Sequence, residues 1–226
     1  MRIALYVDDG VGASTINNWL MMAKEGLIDE FEVVKAKDIT KTKLSLFNWL
    51  ILPGGSGSGI CSKLTEDNRK ELEESISSGL NVMGICAGMY ALSSNYDWSL
   101  NLIPYQVVDK PHWRRGNCIT AIEFSKAIAT KLKTKQTIEV VYHNGPIVEP
   151  KVPEIVYTGK SFRKFNVLAK FKDDVVAEGG KNGLMPGSPA MVHVKHGKGN
   201  IIAISPHFEK TPKANKLIKK LLKLYI

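Results

Sequence analysis

The segment Gly84-Ile85-Cys86-Ala87-Gly88 puts a cysteine between two glycines where an apolar run, residues 81–85, gives way to a helix-like stretch. A strand entering a sharp turn and a helix leaving it would raise the Cys86 thiol above a sheet edge, as the serine is raised in a nucleophile elbow. The start of the leaving helix also favours the thiolate, which is the reactive form. Much later in the chain a second apolar run, residues 200–204, is followed directly by Ser205-Pro206-His207-Phe208-Glu209. His207 can take the thiol proton and later give it to a departing amine. Glu209, two residues on, can lie on the same side of an extended segment, hold the far ring nitrogen and stabilise the imidazolium. A third piece, Pro53-Gly54-Gly55, can present backbone amides at a strand end. The N–H of Gly55, with that of Ala87 just after the cysteine, could hold the oxyanion formed when a thiolate attacks a carbonyl, and losing one such donor costs about 3 kcal/mol. Phosphate binding is the alternative reading of the glycine-rich run 54–59, but it lacks the Gly-Lys-Ser/Thr ending of a P-loop.

These pieces are useful only if a fold brings them together, and the surrounding pattern predicts one. Residues 3–7, 31–34, 49–52 and 81–85 read as short buried strands, separated by helices over 13–27 and from about 65 to Gly79. Ser14 or Thr15 is available to cap the first helix, and Glu66 and Asp67 suit the first turn of the second. Thr65 with Asn68 departs from the preferred capping box. Residues 53–59 read as a loop. Strand–helix alternation with short connections calls for a mainly parallel sheet covered on both faces, a three-layer α/β/α sandwich. Right-handed crossovers put the C-terminal strand ends on one edge, so Pro53–Gly59 and Ile85–Gly88 share the edge where open α/β sheets bind ligands. The second half predicts strands and turns over 98–113, strands at 138–142, 154–157, 167–171, 175–177, 190–194 and 200–204, and a turn at 196–199 that makes the last two a hairpin. Residues 214–225 read as a helix whose Leu and Ile face the domain and whose lysines face water; a membrane-surface helix is the alternative.

Length and composition fit one domain over residues 1–226. The opening apolar run is too short for a signal-peptide core, and no run is long enough to span a bilayer, which makes the cytoplasm the expected compartment. Cys61, Cys86 and Cys118 are far apart and odd in number, so neither a disulfide framework nor a metal cluster is expected. Asp8 and Asp9 lack a third ligand and read as solvated strand-end acids; His112, His193 and His196 have no companion constellation. No cofactor is expected. Of the net +9 charge, residues 1–113 carry −4 (10 Lys and Arg against 14 Asp and Glu) and residues 114–226 carry +13 (21 against 8). A basic half could meet an acidic protein partner or serve as a solvated face; without a nucleic-acid motif, nucleic acid is not expected.

The three glycine, cysteine and histidine segments, in this order and spread over most of the chain, resemble the class I glutamine amidotransferase-like superfamily. That resemblance implies a flavodoxin-like sandwich, a Cys86–His207–Glu209 triad that cleaves an amide through an acyl-enzyme, and oxyanion donors at Gly55 and Ala87. Residues 6–13, Tyr142-His143-Asn144-Gly145-Pro146 and Gly197-Lys198-Gly199 resemble more closely the biotin-protein ligase N-terminal domain family. This implies that Gly54, Tyr142, His143 and Asn144 line the substrate cavity, although residues 142–144 also suit a core edge or turn. The resemblance brings no biotin ligation, since no ATP- and biotin-binding domain is visible. Two departures bear on substrate: Phe208 stands where glutaminases commonly have proline between His and Glu, and Ala87 and Met89 give an elbow of low polarity. The expected function is cysteine-dependent hydrolysis of a small amide or peptide, or amidotransfer to a separate acceptor subunit. The alternative is a non-catalytic ligand-binding or regulatory protein with the same fold.

Overall fold

The computed structural model describes residues 1–150, 155–158 and 161–226. In chain order the first half runs β1 (Ile3–Tyr6), α1 (Ala13–Lys24), β2 (Phe31–Val34), α2 (Lys41–Leu44), β3 (Trp49–Leu52), α3 (Gly57–Ser62), α4 (Glu66–Ser78), β4 (Asn81–Ile85) and α5 (Ala87–Leu92). The second half runs β5 (Tyr105–Val107), β6 (Asn117–Phe124), α6 (Lys126–Leu132), β7 (Thr137–His143), β8 (Val148–Pro150), β9 (Ile155–Thr158), β10 (Ser161–Phe171), β11 (Pro189–His196), β12 (Gly199–Ile204) and α7 (Asn215–Leu224).

Most strands join one sheet in the order β2-β1-β3-β4-β12-β11-β10-β6-β7, with β9 paired to β10 beside this path and β5 paired to β8 elsewhere. The five strands from β2 to β12 are parallel; the strands beyond β12 extend the sheet antiparallel. Residues in β1, β3 and β4 are buried throughout, as expected where helices cover both faces. On one face Trp19 and Met22 of α1 and the Leu217, Ile218, Leu221 and Leu222 stripe of α7 pack on Ile3, Leu5 and Ile51. On the other, Leu72 and Ile76 of α4 and Met89 and Leu92 of α5 pack on Ala4, Leu50 and Val82. The predicted three-layer sandwich is therefore present.

Packing also decides the terminal helix. Its apolar stripe is buried in the domain, while Lys219 pairs with Asp29 at 2.9 Å and the Lys220 ammonium donates to the Leu132 carbonyl, which leaves no apolar face for a membrane surface. No described helix is long and apolar enough to cross a membrane.

Several local expectations need correction. Residues 53–59 are not all loop: Ser56 accepts a hydrogen bond from the Gly59 N–H and starts α3, whose Ile60 and Cys61 are buried. Burial of these two side chains outweighs the poor helix propensity of the glycines. Thr65 and Asn68 do cap each other reciprocally, because the short Asn68 amide reaches back to the Thr65 N–H at 3.2 Å. The first helix is entered from Gly12 with no side-chain cap, and Thr15 is instead buried. Residues 175–177 form no strand; the Val175 carbonyl is held by the Arg115 side chain. Within 98–113 the strand is confined to β5. The strand predicted at 154–157 is found as β9, with Glu154 outside the described residues. The elements β6 and α6 were not anticipated from the sequence, although β6 alternates buried and open positions over its second half.

Candidate active site

Cys86 follows β4 and caps α5 with φ 52° and ψ −103°, a backbone state that costs a non-glycine residue about 1–3 kcal/mol. The tight turn depends on Gly88, where a Cβ would lie 2.0 Å from the Leu52 carbonyl oxygen of β3. The Cys86 N–H donates to Ile204 O of β12 at 2.8 Å, tying the elbow to the parallel strand that delivers His207.

His207 is fixed from its own backbone outward. Its N–H donates to Val141 O of β7 at 2.7 Å. The Thr211 hydroxyl donates to His207 O at 2.7 Å and accepts from the Val141 N–H at 2.9 Å. On the ring, Nδ1 and Glu209 Oε1 are 2.6 Å apart, with both residues 3% exposed. Burial alone would lower the His207 pKa, but the Cys86 sulfur and the hydrogen bond and charge of Glu209 push it up to about 10. The Cys86 thiol has a second neighbour, the His143 carbonyl, to which it donates at 3.5 Å. His143 itself is held below the usual histidine range by burial and by the positive charges of His207 and Lys210, against an opposing pull from the Glu178 carboxylate.

Gly55, in the wall of the cleft that also holds this thiol, has φ 148°. Hydrogen bonds from Gly12 N–H to Gly54 O and from Ser56 N–H to Gly10 O bracket the Val11–Gly55 bridge. In an antiparallel bridge of this kind the central residue's own N–H points away from its partner. A cleft of about 680 Å³ opens over Cys86 and His207 and includes Gly55, His143 and Asn144 in its wall. Ala87 is buried directly behind Cys86; as the first residue of α5 its amide has no partner within the helix.

Two residues expected to line the cavity do not. Tyr142 is fully buried and its hydroxyl donates to Gly145 O at 2.7 Å, because β7 alternates and turns its Tyr142 side chain to the core. Gly54 lies behind the histidine, where a Cβ would sit 2.8 Å from His207 Cε1; it makes room for the ring instead of touching a ligand. Phe208 also leaves the cleft unaltered, since its buried ring packs edge-on against Phe124 with centroids 6.3 Å apart.

Other cleft residues escaped notice in the sequence. Tyr90, Tyr96, Trp98, Lys110, Trp113 and Arg114 line one side and Lys210 another. The aromatic density of residues 90–113, interleaved with cations, was the available signal. Behind them lies Arg115, 2% exposed, which donates to Val175 O and Lys181 O, both at 2.9 Å, and pairs with Asp109 at 2.9 Å and Asp174 at 3.2 Å. Asn144, in a left-handed conformation, accepts from Arg115 N–H at 2.9 Å and Gly116 N–H at 2.8 Å. Its side-chain carbonyl thus holds the 109–116 segment against the cleft.

The residues left outside the constellation have structural partners. Asp8 accepts from the Ala36 N–H at 2.9 Å and Asp9 pairs with Lys63 at 3.0 Å. His112 contacts Asp109 at 2.6 Å and His193 contacts Asn200 at 3.0 Å. Cys61 is buried, with its thiol pushed up to about 11 by that burial. No metal-binding group of three His, Cys, Asp or Glu occurs among the described residues.

Comparison with known proteins agrees with this architecture. Residues 1–112 match the family "Biotin-protein ligase, N terminal", a match that ends well before His207. The chain is 37% identical over 57 residues to the pyridoxal 5'-phosphate synthase subunit PdxT of Nitrosopumilus maritimus (strain SCM1), which covers 25% of this chain and only 28% of that relative. It is 30% identical over 155 residues to the PdxT subunit of Clostridium botulinum (strain Loch Maree / Type A3), covering 66% of this chain and 76% of the relative. A glutamine amidotransferase crystal structure superposes with a TM-score of 0.62 at 16% identity, covering 97% of this chain and 96% of that one. The sandwich with its parallel sheet is thus the class I glutamine amidotransferase-like fold, and the chain belongs to the family of the PdxT subunits.

Proposed function

We propose that this protein is a cysteine-dependent amide hydrolase or amidotransferase-like enzyme, with residues 1–226 acting as one amidotransferase-like domain. The observation that carries this reading is the convergence on one cleft of the elbow thiol of Cys86 and the buried His207–Glu209 pair.

His207 takes the Cys86 proton, and the sulfur bonds to the amide carbonyl carbon. The oxyanion is held by the N–H groups of Gly55 and Ala87. As the C–N bond breaks, the amine leaves with the proton from His207, and a thioester remains on Cys86. Water then attacks the thioester carbon, giving its proton to His207; the S–C bond breaks, the acid departs and His207 returns a proton to the sulfur. Glu209 accepts the Nδ1–H throughout, holding the tautomer and offsetting the positive ring.

Both PdxT relatives are named as synthase subunits, which supports a separate acceptor subunit that would take the released amine; simple hydrolysis of a small amide or peptide needs none. The match over residues 1–112, with the Tyr142-to-Pro146 segment, supports nearer kinship to the biotin-protein ligase N-terminal domains. A cytoplasmic setting fits three free thiols.

The test is alkylation of the intact protein by iodoacetamide with the modified cysteine located by peptide mapping. Cys86 should react faster than Cys61 and Cys118, and His207→Ala should slow it at least about tenfold, the scale of a lost general base. Preferential labelling of Cys61 or Cys118, or indifference to His207→Ala, would refute the triad.

A further inference from the structure

The wall of the cleft carries charge of one sign. Its fixed cations are Lys110, Arg114 and Lys210, and no aspartate or glutamate lines it among the described residues. The Glu209 carboxylate has a side chain with 0% exposure and is engaged by the His207 ring. Beside the cations lies an aromatic shelf: Tyr96 and Trp98 stack with centroids 4.5 Å apart. Lys110 Nζ sits 4.5 Å from the Tyr96 centroid, and Arg114 Cζ sits 4.9 Å from that of Trp113. The lysine ammonium also donates to the Asn95 carbonyl. The aromatic faces hold two of the cations at the cleft while leaving them without a carboxylate from the wall.

Resting on the reading of Cys86 as the nucleophile, we propose that the site takes an anionic amide, one that carries a carboxylate or comparable anion on its acyl part and no free ammonium. A free α-ammonium would find no carboxylate lining this wall, Glu178 acting on His143 from outside it, and would stand among three cations. An anion would be drawn in by the same field, because a cleft lined by one sign of charge concentrates ligands of the opposite sign. This separates the site from one that sets a carboxylate opposite the ammonium of a zwitterionic amino-acid amide.

Two compounds that differ only in the ammonium decide the matter: glutaryl-p-nitroanilide and γ-glutamyl-p-nitroanilide. Their binding to the full-length Cys86→Ser protein is read by quenching of Trp98 and Trp113 fluorescence by the nitroanilide. The glutaryl compound should bind about tenfold more tightly at low salt, and the difference should shrink as salt rises. Lys210→Gln and Arg114→Gln should each reduce that preference by about twofold to threefold. Equal or tighter binding of the γ-glutamyl compound, a preference untouched by both substitutions, or no quenching by either compound at millimolar concentration would overturn the proposal. The nucleophile reading fails separately. If Cys86 alkylation depends on His207 but the two compounds bind alike, only the charge inference falls; if binding is charge-selective but alkylation ignores His207, only the triad falls.

Discussion

Replacing Glu209 by glutamine removes one charge from the site while keeping the shape of the side chain. In the native protein His207 Nδ1 donates to Glu209 Oε1 across 2.6 Å, with both groups buried. A hydrogen bond to a charged group contributes about 1.5–3 kcal/mol and a neutral one about 0.5–1.5 kcal/mol, so the substitution sacrifices about 1–1.5 kcal/mol of differential stabilisation of the imidazolium. At 1.36 kcal/mol per pKa unit this lowers the His207 pKa by about one unit, from about 10. A second cost arises at Glu209 Oε2, which is buried without a hydrogen-bond partner. The glutamine NH2 placed there would be an unsatisfied donor costing about 1–3 kcal/mol. The expected stability loss at neutral pH is therefore about 2–4 kcal/mol, a fall in Tm of about 4–16 °C for a chain of this size. The pKa is followed by the His207 Cε1–H resonance through a pH titration, and Tm by calorimetry. If His207 keeps its titration midpoint while Tm falls, Glu209 is a packing residue and its electrostatic role is refuted.

Three further outcomes follow from the same geometry. In Gly88→Ala the new methyl would overlap the Leu52 carbonyl oxygen at 2.0 Å, so thermal unfolding should show a loss of at least about 2 kcal/mol, within the range for overpacking a core, and Cys86 alkylation should slow; a variant with native Tm would contradict the elbow packing. Asn144→Ala removes the acceptor for the Arg115 and Gly116 amides, which should cost about 1–3 kcal/mol and speed hydrogen exchange in residues 109–116; unchanged exchange there would show that Arg115 holds the segment alone. Because His207 has a folded pKa raised to about 10, above the unfolded value near 6.5, its protonation contributes stability that is fully present below about pH 6.5 and is lost as pH rises through about 10. Stability measured by urea unfolding should fall across that window, and His207→Gln should flatten the slope; an equal slope in both proteins would remove His207 as its source.

How much of this was legible beforehand depended on the range of the interactions. The strands β1, β3, β4 and β12 announce themselves as short apolar runs because both of their faces are covered. Only the Ser56 cap marks the helix α3 locally; its glycines favour a loop, and the burial of Ile60 and Cys61 pulls the segment into a turn of helix. The antiparallel flank was hard to order for a related reason. The pairing of β6 with both β7 and β10 is a register choice made between strands distant in the chain, and no window of sequence contains it.

The site divides along the same line. The glycine-flanked Cys86 and the His207–Glu209 spacing could be read from residue types, because elbow geometry is local; the pair itself closes over a 3-10 turn at Phe208–Lys210 and not along the extended chain expected. Tyr142 could not be placed: a one-residue change in strand phase exchanges core for cleft, and its hydroxyl turned inward to Gly145. Asn144 was legible as a turn residue, but the donors it accepts from, the Arg115 and Gly116 amides, depend on β7 lying beside β6. The sequence alone determined that a thiol, an imidazole and a carboxylate exist at strand ends of one sandwich. Only the tertiary structure, by placing β12 beside β4, brought residues 121 positions apart to one cleft and decided that the cleft is walled by aromatic rings and cations, because side-chain convergence across a sheet is a property of strand order and not of neighbours in the chain.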